Sequence, residues 1–373
     1  MKEIGKTDKN IFLCSVFNCE NNGYYGTRIY RFFKINGYKL VKRSSDSDTI
    51  IINTCAVTEY AEKKCEKVID YYLKKYGTEK QIIIYGCFSK INKEYLNTEG
   101  VTCIGPYELN YFNKMFEHKV PIQNIKANII NKGFNETHKL DFYTILISQG
   151  CVNECSYCSI KKAKGHLRSK KISKIIKEFK EGLLLGYTKF KLVADDCGCY
   201  GLDINKNFGV LLDEISNLNE DLKIDIHCLE PSRFIKHFEK IVNFCKKNKI
   251  IHINIPLQTG SQRILNLMNR SYDIAKCVKY VRYLRKNFNI HITSDFIVGF
   301  PTESREEFEQ TIKLFESFDI AEIFLYSPRK GTKAYNLKGE LSEEELNYRN
   351  NILEELTKKN PKKYHYQNPN NKY

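Results

Sequence analysis

The sequence predicts an α/β protein in two parts: an N-terminal doubly wound parallel-sheet domain, then an open, partial (β/α)6 barrel. Three observations carry this. Residues 1–90 hold three short β-branched apolar runs separated by stretches of helical period. From residue 141 the alternation restarts, with six strand-like runs and helical stretches between them. Between the two series lies polar text, residues 123–139. Alternating strands and helices imply parallel sheets. Six such units are too few to close an eightfold barrel.

In chain order, the first runs are 11–14, 49–55 and 82–87, and each ends on a cysteine. Helical patterns fill 26–36 and, after Thr58, 59–76. In doubly wound sheets, ligands sit at the carboxyl ends of the strands. Cys14, Cys55 and Cys87 are therefore expected to point three thiols at one edge. Buried cysteine also serves as a small hydrophobe at strand ends, which is the plainer alternative. Cys19, Cys65 and Cys103 follow no apolar run and read as packing or incidental residues. A helix is expected near 107–116, closing a first domain of 1–130, with a linker at 131–140. Strands then follow at 142–148, 189–194, 223–227, 250–256, 289–298 and 320–326. Helices are expected at 172–185, 208–218, 231–246, 275–287 and 304–318, giving a core of 141–341. Residues 342–373 read as a last helix and a basic tail, disordered in isolation.

With 42% hydrophobic and 28% charged residues in 373, the chain can bury a core. No run is long enough to span a membrane, and the start lacks a signal-peptide pattern. A cytoplasmic, non-membrane protein is expected. Fourteen cysteines there suggest metal or redox chemistry, since structural disulfides are rare in that compartment. A net charge of +16 fits a polyanionic partner such as RNA, or simply a lysine- and asparagine-rich composition.

The densest signal is residues 150–158, where Cys151, Cys155 and Cys158 share one short loop after an apolar run. Three thiolates can hold a [4Fe–4S] cube and leave one iron open to a small chelating ligand. A basic run follows directly: Lys161, Lys162, Lys164, Arg168, Lys170, Lys171, Lys174, Lys177 and Lys180. It suits phosphate contacts or a solvated helix face.

The Cx3CxxC spacing resembles the signature of radical S-adenosylmethionine (SAM) enzymes. The wider set of motifs resembles the radical SAM methylthiotransferases, and the likeness covers nearly the whole chain. It rests on NTCAVT at 53–58, YGC at 85–87, GCVNECSYCSI at 150–160 and KAKGHLRS at 162–169. VADDCGCYG at 193–201, LEP at 229–231, IPLQTGSQRILNLMNR at 255–270, TSDFIVGFPTES at 293–304 and YSPRKGTKA at 326–334 follow in family order.

The resemblance implies two [4Fe–4S] clusters and SAM, with Cys151, Cys155 and Cys158 holding one cluster and Cys14, Cys55 and Cys87 the other. It implies SAM contacts from Tyr157, Asp196, Gln258, Ser294, Asp295 and Gly299. It implies a monomer served by an electron donor such as flavodoxin or ferredoxin. The expected reaction is insertion of a methylthio group at C2 of an N6-modified adenosine beside the anticodon of tRNA, with N6-threonylcarbamoyladenosine favoured. Modification of a ribosomal-protein aspartate, or of another peptide or small molecule, is the alternative. Three departures stand out. The family usually has asparagine three residues after its first cysteine, where Cys14 is followed by Phe17. It usually has arginine on the third barrel strand, where this chain has Asp225. Members usually continue into an RNA-binding β-barrel of about 60–70 residues, and this sequence stops about where that would begin. Cys197 and Cys199 stand where the family commonly has small residues.

Overall fold

The computed structural model describes residues 9–16, 19–129, 141–218 and 221–367. The expected linker lies outside the described residues. The chain divides into two compact units, residues 1–144 with 159–165, and residues 145–158 with 166–373.

The first unit is built from β1 (Asn10–Ser15), α1 (Glu20–Ile35), β2 (Lys39–Val41), β3 (Thr49–Thr54), α2 (Glu59–Tyr76), β4 (Gln81–Gly86), α3 (Phe88–Ile91), β5 (Val101–Ile104) and α4 (Asn110–Met115). Its five strands run in the order β2-β1-β3-β4-β5, all neighbours parallel. Ile50, Ile52, Ile82 and Ile84 are fully buried. Their unbroken β-branched runs belong to strands covered on both faces. The helices start and stop where local chemistry dictates. Thr58 caps α2 by accepting from Ala61 N at 3.1 Å. Glu59 and Glu62 occupy its first turn, Lys74 and Lys75 its last, each complementing the helix dipole. Gly77 ends it at φ +50°.

The second alternation comprises β6 (Tyr143–Leu146), β7 (Ser148–Gln149), α5 (Ile160–Lys164), β8 (Arg168–Ser169), α6 (Ile172–Leu184), β9 (Lys189–Val193), α7 (Phe208–Ser216), β10 (Lys223–Ile226), α8 (Pro231–Lys236), α9 (Phe238–Lys246), β11 (Ile250–Asn254), α10 (Gln262–Leu267), α11 (Ile274–Asn287), β12 (His291–Val298), α12 (Arg305–Phe315), β13 (Ile320–Leu325), α13 (Glu343–Lys359) and β14 (Tyr364–Gln367). Seven strands form one open sheet in the order β14-β13-β12-β11-β10-β9-β6. The six expected strands are present. The seventh, β14, comes from the tail, which pairs parallel with β13 instead of remaining unstructured. Its composition is polar, but Tyr364 is buried and packs near Phe315. The expected helix 231–246 is broken in two at His237. Residues 159–165, including α5, group with the first unit, where Ile160 and Ala163 pack on the core around Cys87 and Phe88.

Candidate cluster-binding sites

In the second unit, residues 151–158 form an irregular loop directly after β7. Ser156 pins it twice: its N–H reaches Met268 O at 2.9 Å, and its Oγ donates to Leu267 O at 2.7 Å. Gly150, at φ +78°, starts the loop, and its N–H donates to Asp195 Oδ2 at 2.7 Å.

The loop's sulfurs receive hydrogen bonds. Asn153 N donates to Cys151 Sγ at 3.4 Å, and Arg270 Nη1 donates to Cys155 Sγ at 3.4 Å. Such donors stabilise thiolate, the form that ligates metal. Beneath the loop runs a buried polar chain. Arg270 Nη2 lies 3.5 Å from Glu230 Oε1, and Glu230 Oε2 lies 3.1 Å from Arg233 Nη1. Arg233 Nη1 reaches Asp196 Oδ2 at 3.3 Å and donates to Asn153 Oδ1 at 2.8 Å. Cys199 donates to the same Asp196 oxygen at 3.0 Å and hydrogen-bonds Cys151. That last bond holds the Cys151 thiol below its ordinary value, against burial and the nearby Asp196 carboxylate, and together with burial pushes Cys199 up. Cys151, Asp196 and Cys199 place ligand atoms within 4.8 Å of one another. Sequence reasoning flagged Cys199 but missed Arg270, Glu230 and Arg233, because their roles depend on contacts far apart in the chain.

The residues expected to line SAM divide by geometry. Asp196 is buried, and its Oδ1 also accepts from Gly198 N at 2.8 Å and Glu230 N at 3.2 Å. Its carboxylate is thus taken up by the protein. Ser294 and Asp295 are adjacent on β12 and therefore point to opposite faces. Ser294 Oγ accepts from Leu257 N at 3.1 Å, which braces the turn after β11. Asp295 Oδ1 accepts from Asn254 Nδ2 at 3.3 Å. Burial pushes the Asp295 carboxyl up to about 6, against the hydrogen bond from Asn254, and nearby Glu322 adds to the rise. Gln258 takes φ +70°, unusual for a side-chain-bearing residue. Its backbone is threaded onto β12, with N–H to Asp295 O at 2.8 Å and O accepting from Ile297 N at 2.7 Å. Gly299 has φ +78° and donates its N–H to Glu303 Oε2 at 2.6 Å. Tyr157 packs against Ile264, Met268, Phe300 and Ala334. Asp225 pairs with Lys191 at 3.3 Å and with His252 Nδ1 at 2.7 Å. Burial alone would raise it, but His252 and Lys191 hold it below the usual carboxylate range.

In the first unit, Cys55 and Cys87 sit one residue past the ends of β3 and β4, and Thr54 is level with Gly86. The two cysteines therefore leave the sheet side by side. Gly86 allows this close approach: at φ +117°, a Cβ there would lie 2.3 Å from Thr54 O. Cys14 lies further back along the sheet. It is level with Ile52, three residues short of Cys55, or about 10 Å along the strand. Its thiol hydrogen-bonds Tyr72, and burial pushes it up. Cys19 is a second candidate beside Cys14 for the third thiol of this set. Burial pushes the Cys55 thiol well up, and the next contributions come from Cys19 and then Cys87. Cys19 is exposed and caps α1 by accepting from Asn22 N at 3.4 Å. Buried Asn22 donates its Nδ2 to Thr54 O at 3.0 Å, tying this cap to the strand that delivers Cys55. A signal was present: Asn22 stands three residues after Cys19, the spacing missing after Cys14.

The basic run splits. Lys171, Lys174, Lys177 and Lys180 are exposed on or beside α6, and Lys170 pairs with Glu178 at 2.6 Å. Lys164 is buried, with its ammonium 5.0 Å from the Tyr107 ring centre. Among the described residues, no helix is long and apolar enough to cross a membrane.

Residues 145–315 match the family model of the radical SAM superfamily, and residues 12–104 match that of uncharacterized protein family UPF0004. A tRNA-2-methylthio-N(6)-dimethylallyladenosine synthase of Thermodesulfovibrio yellowstonii is 32% identical, over 88% of this chain and 78% of its own length. The threonylcarbamoyladenosine tRNA methylthiotransferase MtaB of Bacillus subtilis is 30% identical, over 93% and 80%. A probable threonylcarbamoyladenosine tRNA methylthiotransferase of Pyrococcus horikoshii is 28% identical, over 86% and 78%. Among solved structures, the radical SAM methyltransferase TsrM of Kitasatospora setae shares the fold, with TM-score 0.58 at 13% identity over 88% of this chain and 77% of its own. Sequence likeness across both units, with a thiol-bearing loop after the first strand of the second sheet, gives the family: the chain belongs to the radical SAM methylthiotransferases, enzymes that transfer sulfur and use SAM with an iron–sulfur cluster.

Proposed function

We propose that this enzyme methylthiolates tRNA at C2 of N6-threonylcarbamoyladenosine beside the anticodon, using two [4Fe–4S] clusters. The observation that carries the reading is the second set of thiols. Cys55 and Cys87 emerge side by side from neighbouring strands, and the Cys19 cap is tied through Asn22 to Thr54, the residue before Cys55. SAM cleavage uses one cluster, and a second three-thiol site would offer an open iron for sulfur delivery. Relatives named for the threonylcarbamoyl nucleoside support the choice of base.

Cys151, Cys155 and Cys158 would hold the radical-generating cluster, and Cys19, Cys55 and Cys87 the second. With SAM bound, the first supplies one-electron cleavage to a carbon radical, and the second a place for the sulfur to be delivered. The chain's own residues do the positioning. Asn153 and Arg270 donate to the loop sulfurs. Gln258, bonded through its backbone to β12, and Gly299, just past the end of that strand, would flank SAM. Asp295 and Asn254 offer a polar pair on the strand face opposite the helix-packed Phe296. Exposed lysines of α6 suit tRNA phosphates. A low-potential electron carrier such as flavodoxin or ferredoxin completes the cycle.

Mass spectrometry of tRNA nucleosides from cells with and without the gene tests this. The expected result is loss of 2-methylthio-N6-threonylcarbamoyladenosine with accumulation of its unthiolated precursor. An unchanged methylthio-nucleoside profile refutes the assignment.

A further inference from the structure

The buried chain under the cysteine loop is not needed to ligate a cluster. Three thiols do that, yet a continuous path links two of them: Cys155, Arg270, Glu230, Arg233, Asp196, Cys199 and Cys151. Two guanidiniums and two carboxylates balance in charge. They are not placed symmetrically about the loop. At Cys155 the member in contact is a guanidinium; at Cys151 it is the Cys199 side chain, which also reaches Asp196.

Arg270 is 8% exposed. A buried cation is costly unless it is paired and hydrogen-bonded. Its pairing is incomplete. Glu230, at 3.5 Å, is shared with Arg233, and the Arg270 Nε has no partner. It also donates to Pro256 O at 3.3 Å and Cys155 Sγ at 3.4 Å and lies 5.9 Å from the centre of the Tyr272 ring. Cys155 Sγ is thus one of the few acceptors within reach of this guanidinium, and a ligating thiolate there would add to its pairing.

Reducing a cluster by one electron adds one negative charge to the iron–sulfide–thiolate unit. Hydrogen bonds to the sulfurs and nearby net charge set how readily that happens. In a water-poor site, charge at hydrogen-bond distance acts with little screening. We propose that Arg270 sets the reduction potential of the radical-generating cluster, its guanidinium N–H and charge at Cys155 stabilising the added electron. Arg270 is a positioning residue that acts through Cys155 and does not touch substrate. The proposal rests on the assignment of Cys151, Cys155 and Cys158 as that cluster's ligands.

The test uses the full chain, reconstituted anaerobically, with iron and sulfide counted. An EPR-monitored redox titration follows the reduced-cluster signal that shifts on adding SAM, with titanium(III) citrate as the one-electron reductant. For Arg270→Gln, the reduced-to-oxidised ratio at fixed potential is expected to fall at least tenfold, a shift of about 59 mV or more. Arg270→Lys, which keeps a charge, should move less. Independently, the unmutated protein labelled with guanidino-nitrogen-15 arginine should show hyperfine coupling of that nitrogen to the SAM-responsive signal, lost in Arg270→Lys. An Arg270→Gln protein with full iron and an unchanged midpoint overturns the proposal. So does absence of coupling in the unmutated protein, which decides the matter even if Arg270→Gln does not load a cluster. If the unmutated chain shows no SAM-responsive cluster, the ligand assignment falls, and this inference with it.

Discussion

The two proposed thiol sets would be assembled by different routes. In the second unit, Cys151, Cys155 and Cys158 lie in one loop, so their proximity is fixed by covalent spacing. In the first, Cys19, Cys55 and Cys87 come from three chain segments, so theirs depends on strand register and on a helix cap. A local set tolerates changes elsewhere in the fold. A distributed set is only as good as the pairing of β1, β3 and β4.

The largest expected effect removes the local set. Cys151→Ala should abolish 5′-deoxyadenosine formation from SAM and lower bound iron from about eight to about four per chain. Chromatography of the nucleoside and iron analysis check both. Retained cleavage would show that the loop does not generate the radical.

Next comes the distributed set, where two cysteines five residues apart have opposite expectations. Cys19→Ala should lose the second cluster and all methylthio product while still cleaving SAM. Cys14→Ala should keep both clusters and lose only packing against Tyr72, about 1 kcal/mol of stability. Iron counts and product analysis on the pair decide between them, and the reverse pattern would restore Cys14 as the ligand.

This contrast also marks what the sequence could reveal. The loop was legible because its spacing is its geometry. Cys55 and Cys87 were legible because apolar runs end on them. Cys19 was not, because it follows no apolar run: β1 stops at Ser15, and the cysteine belongs to the cap of the next helix. Besides the asparagine three residues after Cys19, it is the level of Cys14 with Ile52, set by hydrogen bonding between distant strands, that bears on the choice between the two candidates. Strand β14 was hidden for the same reason. Its residues look solvated by composition, and only pairing with β13 orders them. Arg270 and Glu230 were visible as letters, but nothing local says that they meet.

Smaller effects come from the barrel unit's buried charges. Arg349 of α13 and Glu303 are fully buried and paired, and Glu303 also accepts the Gly299 N–H. Arg349→Ala leaves that carboxylate uncompensated and should cost about 3–5 kcal/mol in denaturant unfolding. Arg349→Met with Glu303→Leu should recover part of the loss, because a hydrophobic pair removes both desolvation costs. If the double variant is no more stable than Arg349→Ala alone, the pair is not the source of the loss.

A further effect is a pH dependence at Asp295, where burial raises the folded carboxyl from 3.8 to about 6. Below the lower value it is protonated in both folded and unfolded chains, and its favourable contribution is complete. Between the two, the unfolded chain has released the proton while the folded one still holds it, so stability falls as pH rises. Above the folded value, the loss levels off at about 2–3 kcal/mol. Asp295→Asn keeps the hydrogen-bonding shape but cannot ionise. Its stability advantage over the unmutated chain should therefore grow from about pH 4 to about pH 6 and then stay constant. Urea unfolding of the cluster-free chains across that range reads this directly. A pH-independent difference would mean that Asp295 ionises in the fold as it does in water, leaving Asn254 to face an ordinary carboxylate.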